Sequence, residues 1–174
     1  MKAKVIAIVG SKSSGKTTTI EVLTKELTKR GYNIATVKHI TEPNFTIDRE
    51  GKDTWRFAKS GAKTIVSVAF GEIATIEKND EKNFSLKKIL KKCGDNDIVF
   101  LEGFRQFISK EKAVPKIVVV KSEKEAVDAL KLFKPILAFT GLYPIENLNL
   151  KIPYVDVLKN PEKIADIVEK AVKG

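Results

Sequence analysis

The sequence predicts an α/β fold, a mainly parallel sheet flanked by helices with an added β-ribbon, on three observations. Strand-like apolar runs alternate with segments whose apolar residues recur at helical spacing through most of the chain, the pattern of parallel βαβ units. A glycine-rich loop separates the first such strand from the first such helix. Two β-like runs, Thr64 to Phe70 and Glu72 to Glu77, follow one another across Gly71 alone, which calls for a hairpin or bent ribbon at about 64–77 rather than a crossover.

Ala3 to Val9 is apolar apart from Lys4 and reads as a buried parallel strand. Ile20, Leu23 and Leu27 then recur on one helical face, with Lys29 and Arg30 in the last turn and Gly31 as the stop. Asn33 to Val37 is a second strand, and Ile40 to Gly51 a long polar loop, a type of segment more often functional than filler. Asp53 to Ser60 is a short helix closed by Gly61, with Asp53 as its cap. Lys78 to Asn83 is a charged turn. Ser85 caps a helix carrying Leu86, Ile89, Leu90 and Cys93 on one face, which makes Cys93 a small core residue. Asp97 to Phe104 reads as a buried strand ending near a carboxylate, and Lys116 to Lys121 as another strand. Ser122 and Glu125 form a capping box, Pro135 to Phe139 enters Thr140-Gly141 as a strand, and Asn160-Pro161 caps a final helix.

The 174 residues suit a single domain spanning 1–174, and 43% apolar content provides for a sizeable core. Thirty-two Lys and Arg against 22 Asp and Glu give a net charge of +10, which favours anionic ligands. The positive charge is spread as single lysines and short pairs without a stacking-aromatic motif, so nucleic acid is not the expected partner. Cys93 is the only cysteine, which rules out an intramolecular disulfide and a zinc site built on several cysteines. No signal-peptide pattern and no membrane-length apolar run occur, so the expected location is cytoplasmic.

Gly10-Ser11-Lys12-Ser13-Ser14-Gly15-Lys16-Thr17 fits G-x-x-x-x-G-K-[ST], and strand, loop and helix stand in the order this P-loop needs. The glycines let backbone N–H groups turn toward an anion, and the helix N-terminus adds partial positive charge. Lys16 can reach β- and γ-phosphates, and the Thr17 hydroxyl can hold Mg²⁺. The fold is accordingly expected to be of P-loop NTPase type. Such a loop works with an acid at the end of a second apolar strand, and Ile98-Val99-Phe100-Leu101-Glu102 has that form. Glu102 is the candidate metal-linked acid, Asp48 the alternative, and Asp97, at the other end of the strand, a turn or capping residue. His39 is the only histidine, and a structural imidazole is its plainest role. Lys38, Lys52 and Arg56 can meet an anionic ligand, and Trp55 can stack on a flat ring or fill a core position.

These motifs together resemble the MobB family, molybdopterin-guanine dinucleotide biosynthesis protein B. The resemblance rests on the P-loop, Val37-Lys38-His39, Ile47-Asp48 with Gly51-Lys52-Asp53-Thr54-Trp55-Arg56, Gly61-Ala62, Asp97 to Phe104, and Pro115-Lys116-Ile117, in that order. It implies a GTP-binding homodimer that hydrolyses GTP weakly with Mg²⁺. It further implies an accessory role to a MobA-type molybdopterin guanylyltransferase, which joins GMP to molybdopterin. Nucleotide binding then falls on Gly10 to Thr18 and Mg²⁺ on Thr17 and Glu102. A pterin- or partner-facing role falls on Lys38, His39, Asp48, Lys52, Asp53 and Arg56. Where many members carry further histidines after the Lys-His pair, this chain has Ile40-Thr41-Glu42-Pro43-Asn44. A P-loop small-molecule kinase is the competing reading, but Arg105 alone does not make an arginine-rich lid. A metal-insertion GTPase needs a Cys/His site that one cysteine and one histidine do not supply. The guanine-reading pattern [NT]-K-x-D is absent; Thr140-Gly141 stands after a late strand where a base can sit.

Overall fold

The strand that leads into the glycine loop, β1 (Lys4–Gly10), is an inner strand of a six-stranded sheet. A computed structural model describes residues 3–78, 85–145 and 150–174. Among them the remaining strands of this sheet are β2 (Ile34–Lys38), β5 (Ile98–Glu102), β6 (Lys116–Val119), β7 (Ile136–Gly141) and β8 (Tyr154–Asp156). The order is β2-β5-β1-β6-β7-β8, and all pairings are parallel. The helices are α1 (Lys16–Lys29), α2 (Asp53–Lys59), α3 (Leu86–Lys92), α4 (Arg105–Ile108), α5 (Glu123–Leu132) and α6 (Pro161–Lys173). The chain divides into two compact units, Met1–His39 with Cys93–Gly174, and Ile40–Lys92.

In the first unit, side chains alternate across each strand. Ile6, Ile8, Phe100, Ile117 and Val119 form one core with Leu23 and Leu27 of α1 and Ile164 and Val168 of α6. The alternate residues Ala7, Val9, Val99, Leu101 and Val118 are as deeply buried. Arg30 at the end of α1 ties it to α6, bonding Asp166 at 2.7 Å and Glu169 at 2.9 Å. β5 ends sooner than the run Asp97 to Phe104 predicts. Gly103 turns the chain at φ +83°, where a Cβ would stand 2.9 Å from the His39 carbonyl oxygen, and α4 begins at Arg105. Asp97 precedes the strand and accepts the Asn33 N–H at 2.8 Å, the capping role expected of it.

The second unit holds α2, α3 and the expected ribbon. β3 (Thr64–Val68) and β4 (Ile73–Glu77) pair antiparallel from Thr64 with Glu77 to Val68 with Ile73. Ala69 to Glu72 make the turn, closed by Ala69 N–H to the Glu72 carbonyl at 2.8 Å. The predicted charged turn lies largely outside the described residues. Four local expectations need correction. Asp53 is the first helical residue of α2, not its cap; Lys52 holds the cap position without a side-chain bond. The Ser122 hydroxyl does accept the Glu125 N–H, but the Glu125 carboxylate accepts from Lys121 N–H, so the box closes one residue early. Asn160 stands at the cap of α6 with Pro161 after it, yet its side chain makes no capping bond. Cys93 is half-buried rather than in the core, and its burial pushes the thiol pKa up.

Candidate nucleotide-binding site

The loop Gly10 to Gly15 is shaped by contacts that only glycine tolerates. A Cβ on Gly10 would lie 2.3 Å from the Val119 carbonyl oxygen and 2.7 Å from Ser14 Oγ, so β6 and the returning loop close directly on its backbone. Gly15 sits at φ +99° as the cap of α1, with the Leu142 side chain 2.7 Å from where its Cβ would be. Ser13 also takes a left-handed conformation, at φ +56°.

This geometry leaves the start of α1 open. Among the described residues no side chain caps it, and no acidic residue occupies its first turn, so its N–H groups and partial positive charge face the loop unneutralised. The buried Ser14 hydroxyl has no hydrogen-bond partner among the described residues. An anion held in the loop would satisfy these groups together. Thr18 lies in the same first turn. Lys16 folds back on the loop, donating to the Ser11 carbonyl at 2.7 Å and the Gly10 carbonyl at 3.4 Å. Burial lowers its pKa; Glu102 opposes that shift, while Lys38 and Lys121 add to it.

Strand pairing brings the acid to this loop. β5 lies between β1 and β2, and Glu102 aligns with Ile8 on one side and Lys38 on the other. Its largely buried carboxylate accepts from Thr17 Oγ1 at 3.3 Å and faces Lys38 Nζ at 3.6 Å. A hydroxyl and a carboxylate this close fit Mg²⁺, which takes a few protein oxygens and keeps several waters. A groove of about 560 Å³ opens beside them, lined by Thr17, Lys25, Lys38 and Glu102 among others. All of this lies at the carboxyl ends of the strands, where open parallel sheets gather their ligands.

His39 donates its backbone N–H to the Glu102 carbonyl at 2.8 Å. Its ring packs on Phe104 and edge-on against Phe107, with centroids 5.2 and 5.4 Å away, as a structural imidazole would. Asp48, Lys52, Asp53 and Arg56 belong to the second unit. There Asp48 Oδ1 accepts from Thr54 Oγ1 at 2.7 Å and from Arg49 N–H at 3.0 Å, while its buried Oδ2 has no hydrogen-bond partner among the described residues. Arg56 faces Asp53 at 3.7 Å on an open surface, and Lys59 lies over the half-buried Trp55 ring. The Thr140 hydroxyl is buried and donates to the Val155 carbonyl at 2.6 Å, so it joins β7 to β8 and is not free to read a base.

Two residues at the loop were not identified from sequence. Glu125 accepts a hydrogen bond from Ser11 Oγ at 3.1 Å, and Lys121 Nζ reaches the Lys12 carbonyl at 3.4 Å. The available signal was the position of Lys121 just past a strand, once β6 is known to lie beside β1.

The family model described as MobB, Molybdopterin guanine dinucleotide synthesis protein B, matches residues 5–140. A molybdopterin-guanine dinucleotide biosynthesis adapter protein of Haemophilus influenzae is 30% identical over 166 residues, covering 94% of this chain and 86% of that protein. A putative adapter protein of the same description from Methanocaldococcus jannaschii is 33% identical over 153 residues, 87% of this chain and 61% of that protein. A crystal structure of molybdopterin-guanine biosynthesis protein B aligns over 98% of this chain and 99% of that one, with a TM-score of 0.74 and 26% identity. A MobB homologue from Bacillus stearothermophilus, at 23% identity and a TM-score of 0.69, shares the fold.

Proposed function

The chain belongs to the MobB family, molybdopterin guanine dinucleotide synthesis protein B, and from that premise we propose that it is a GTP-binding adapter in the guanylation of molybdopterin. The observation that carries the nucleotide reading is the uncapped start of α1, with Lys16, Thr17 and Glu102 gathered beside it. Residues Gly10 to Thr18 hold the phosphates. Lys16 moves from the loop carbonyls to the β- and γ-phosphates, exchanging neutral acceptors for charged ones. Thr17 and Glu102 would hold Mg²⁺, which would supply charge neutralisation for the phosphates. The choice of GTP over ATP rests on the family alone.

A loop that grips β- and γ-phosphates suits γ-phosphate hydrolysis, or carriage of intact GTP. Transfer of GMP needs attack at the α-phosphate with pyrophosphate leaving, so we assign that step to a MobA-type partner. Lys38, beside the groove between α1 and β2, is the residue of the first unit best placed to meet an anionic pterin. Asp48, Lys52, Asp53 and Arg56 make the partner-facing set of the second unit, and His39 supports the site through its ring packing. The exposed ribbon provides for a homodimer.

The test combines purified guanylyltransferase, molybdopterin, GTP and Mg²⁺ with and without this protein. Guanine dinucleotide formation should rise on its addition, and Lys16→Ala and Arg56→Ala should each abolish the gain. Pyrophosphate and dinucleotide formed by this chain alone would make it the transferase and end the adapter reading.

A further inference from the structure

We propose that Glu125 is a positioning residue for the P-loop, acting through Ser11; the inference rests on the reading of Gly10 to Thr18 as a nucleotide site. Two sets of contacts hold the outer turn of this loop. One is Lys16, bonded to the Ser11 and Gly10 carbonyls. A lysine that serves phosphate directs N–H donors there when nucleotide arrives, so this set is weakened at the moment the loop has to be ordered. The other set comes from the β6–α5 connection and requires no such exchange. Ser11 Oγ donates to Glu125 Oε1 at 3.1 Å, across 114 residues of chain. Lys121 Nζ donates to the Lys12 carbonyl at 3.4 Å.

Glu125 is itself held firmly. The second oxygen of its carboxylate accepts the Lys121 N–H at 2.9 Å, whereas the bond from its backbone N–H to Ser122 Oγ at 3.3 Å caps α5 and does not touch the carboxylate. Lys121 Nζ stands 3.9 Å from Oε1 and offsets the cost of placing a carboxylate near a phosphate loop. Packing cannot substitute for the bond, because Gly10, Ser11 and Glu125 border a cavity of about 200 Å³. A hydrogen bond from a hydroxyl to a charged acceptor is therefore the tether that fixes Ser11 while Lys16 changes partners. On this reading Glu125 touches no phosphate and acts on affinity through the shape of the loop.

The experiment titrates GTP, and separately ATP, with Mg²⁺ against the full chain and five variants, with thermal unfolding of each nucleotide-free protein alongside. Glu125→Ala and Ser11→Ala should each weaken binding about tenfold, the loss expected for a hydrogen bond to a charged group. The double variant should bind no worse than either single one. Glu125→Gln, which keeps an acceptor for Ser11, should recover most of the affinity. Ser122→Ala removes the α5 cap and lowers the unfolding temperature, but it leaves the Ser11 bond intact and should leave affinity unchanged. Unchanged binding by Glu125→Ala, additive losses in the double variant, no recovery in Glu125→Gln, or an equal loss in Ser122→Ala would each overturn the proposal. If the unmodified chain binds neither nucleotide, the nucleotide reading itself fails and this inference falls with it.

Discussion

Thr17 Oγ1 donates to Glu102 Oε1 at 3.3 Å, joining the first turn of α1 to the end of β5 across 85 residues. The contact follows from the pairing of β1 with β5, which carries Glu102 to the level of Ile8, two residues short of the glycine loop. If Mg²⁺ is held between these two oxygens, the charge of Glu102 matters more to hydrolysis than to nucleotide binding. Glu102→Gln should lower Mg²⁺-dependent GTP hydrolysis at least tenfold while nucleotide affinity changes only about threefold. Asp97→Asn should change neither, since Asp97 caps Asn33 at the opposite end of β5. Steady-state phosphate release and equilibrium titration on the two variants check this. A greater loss in Asp97→Asn would reverse the assignment.

Lys16→Ala should weaken nucleotide binding by at least tenfold, because a charge-assisted bond to phosphate is worth roughly 1.5–3 kcal/mol. Folding should survive, since among the described residues the ammonium bonds loop carbonyls and no core group. Burial lowers the pKa of Lys16 below the ordinary 10.5, so the side chain loses its proton earlier than an exposed lysine as pH rises. Nucleotide affinity of the unmodified chain should therefore fall with a midpoint below 10.5. The Lys16→Ala protein should lack that component, which a titration series from neutral to alkaline pH would resolve.

The loop and its acid were legible in the sequence because both are local patterns. A short apolar strand, two glycines and a helical repeat specify Gly10 to Thr17, and an apolar run with a terminal carboxylate specifies Glu102. Glu125 could not be found that way. Its local pattern with Ser122 reads as a cap, and its bond to Ser11 depends on β6 lying beside β1. Asp53 failed as a cap for a different reason. It is the first helical residue of α2, one position past the cap that Lys52 holds, and spacing alone does not fix a helix boundary to one residue. β8 has only three residues, too few for alternation to register, and the Thr140 hydroxyl is committed to that strand rather than to a ligand.

Glu169 carries the pH dependence of the α1–α6 contact. Bonds from Lys173 first, then Tyr32 and Arg30, hold its carboxyl at about 2, against an ordinary 4.5. A depressed carboxyl stabilises the fold fully above its unfolded value. That contribution is lost as pH falls from about 4.5 through about 2. Glu169→Gln should unfold at a lower temperature than the unmodified chain at pH 7. The gap should close as both are acidified toward pH 2, because the unmodified carboxyl then becomes neutral too. Circular dichroism melts across this range decide it; a gap that stays constant would show that the charge of Glu169 is not what stabilises the contact.

The ribbon of the second unit bears on assembly. Successive residues of a strand face opposite sides, so Ile65 and its partner Ile76 share one face, and Val66, Val68 and Ile73 share the other. Ile65 is buried, whereas Val66, Val68 and Ile73 are exposed and Phe70 in the turn is fully so. Among the described residues this sheet holds two strands, so each also presents an outer edge. An apolar face beside open edges suits pairing with an identical ribbon, which would cover the side chains and satisfy the backbone groups. Light scattering at micromolar concentration should give the mass of a dimer. Val68→Lys combined with Phe70→Lys should give a monomer with unchanged nucleotide affinity, since the P-loop belongs to the other unit. A monomeric unmodified chain, or a double variant that remains dimeric, would move the interface away from the ribbon.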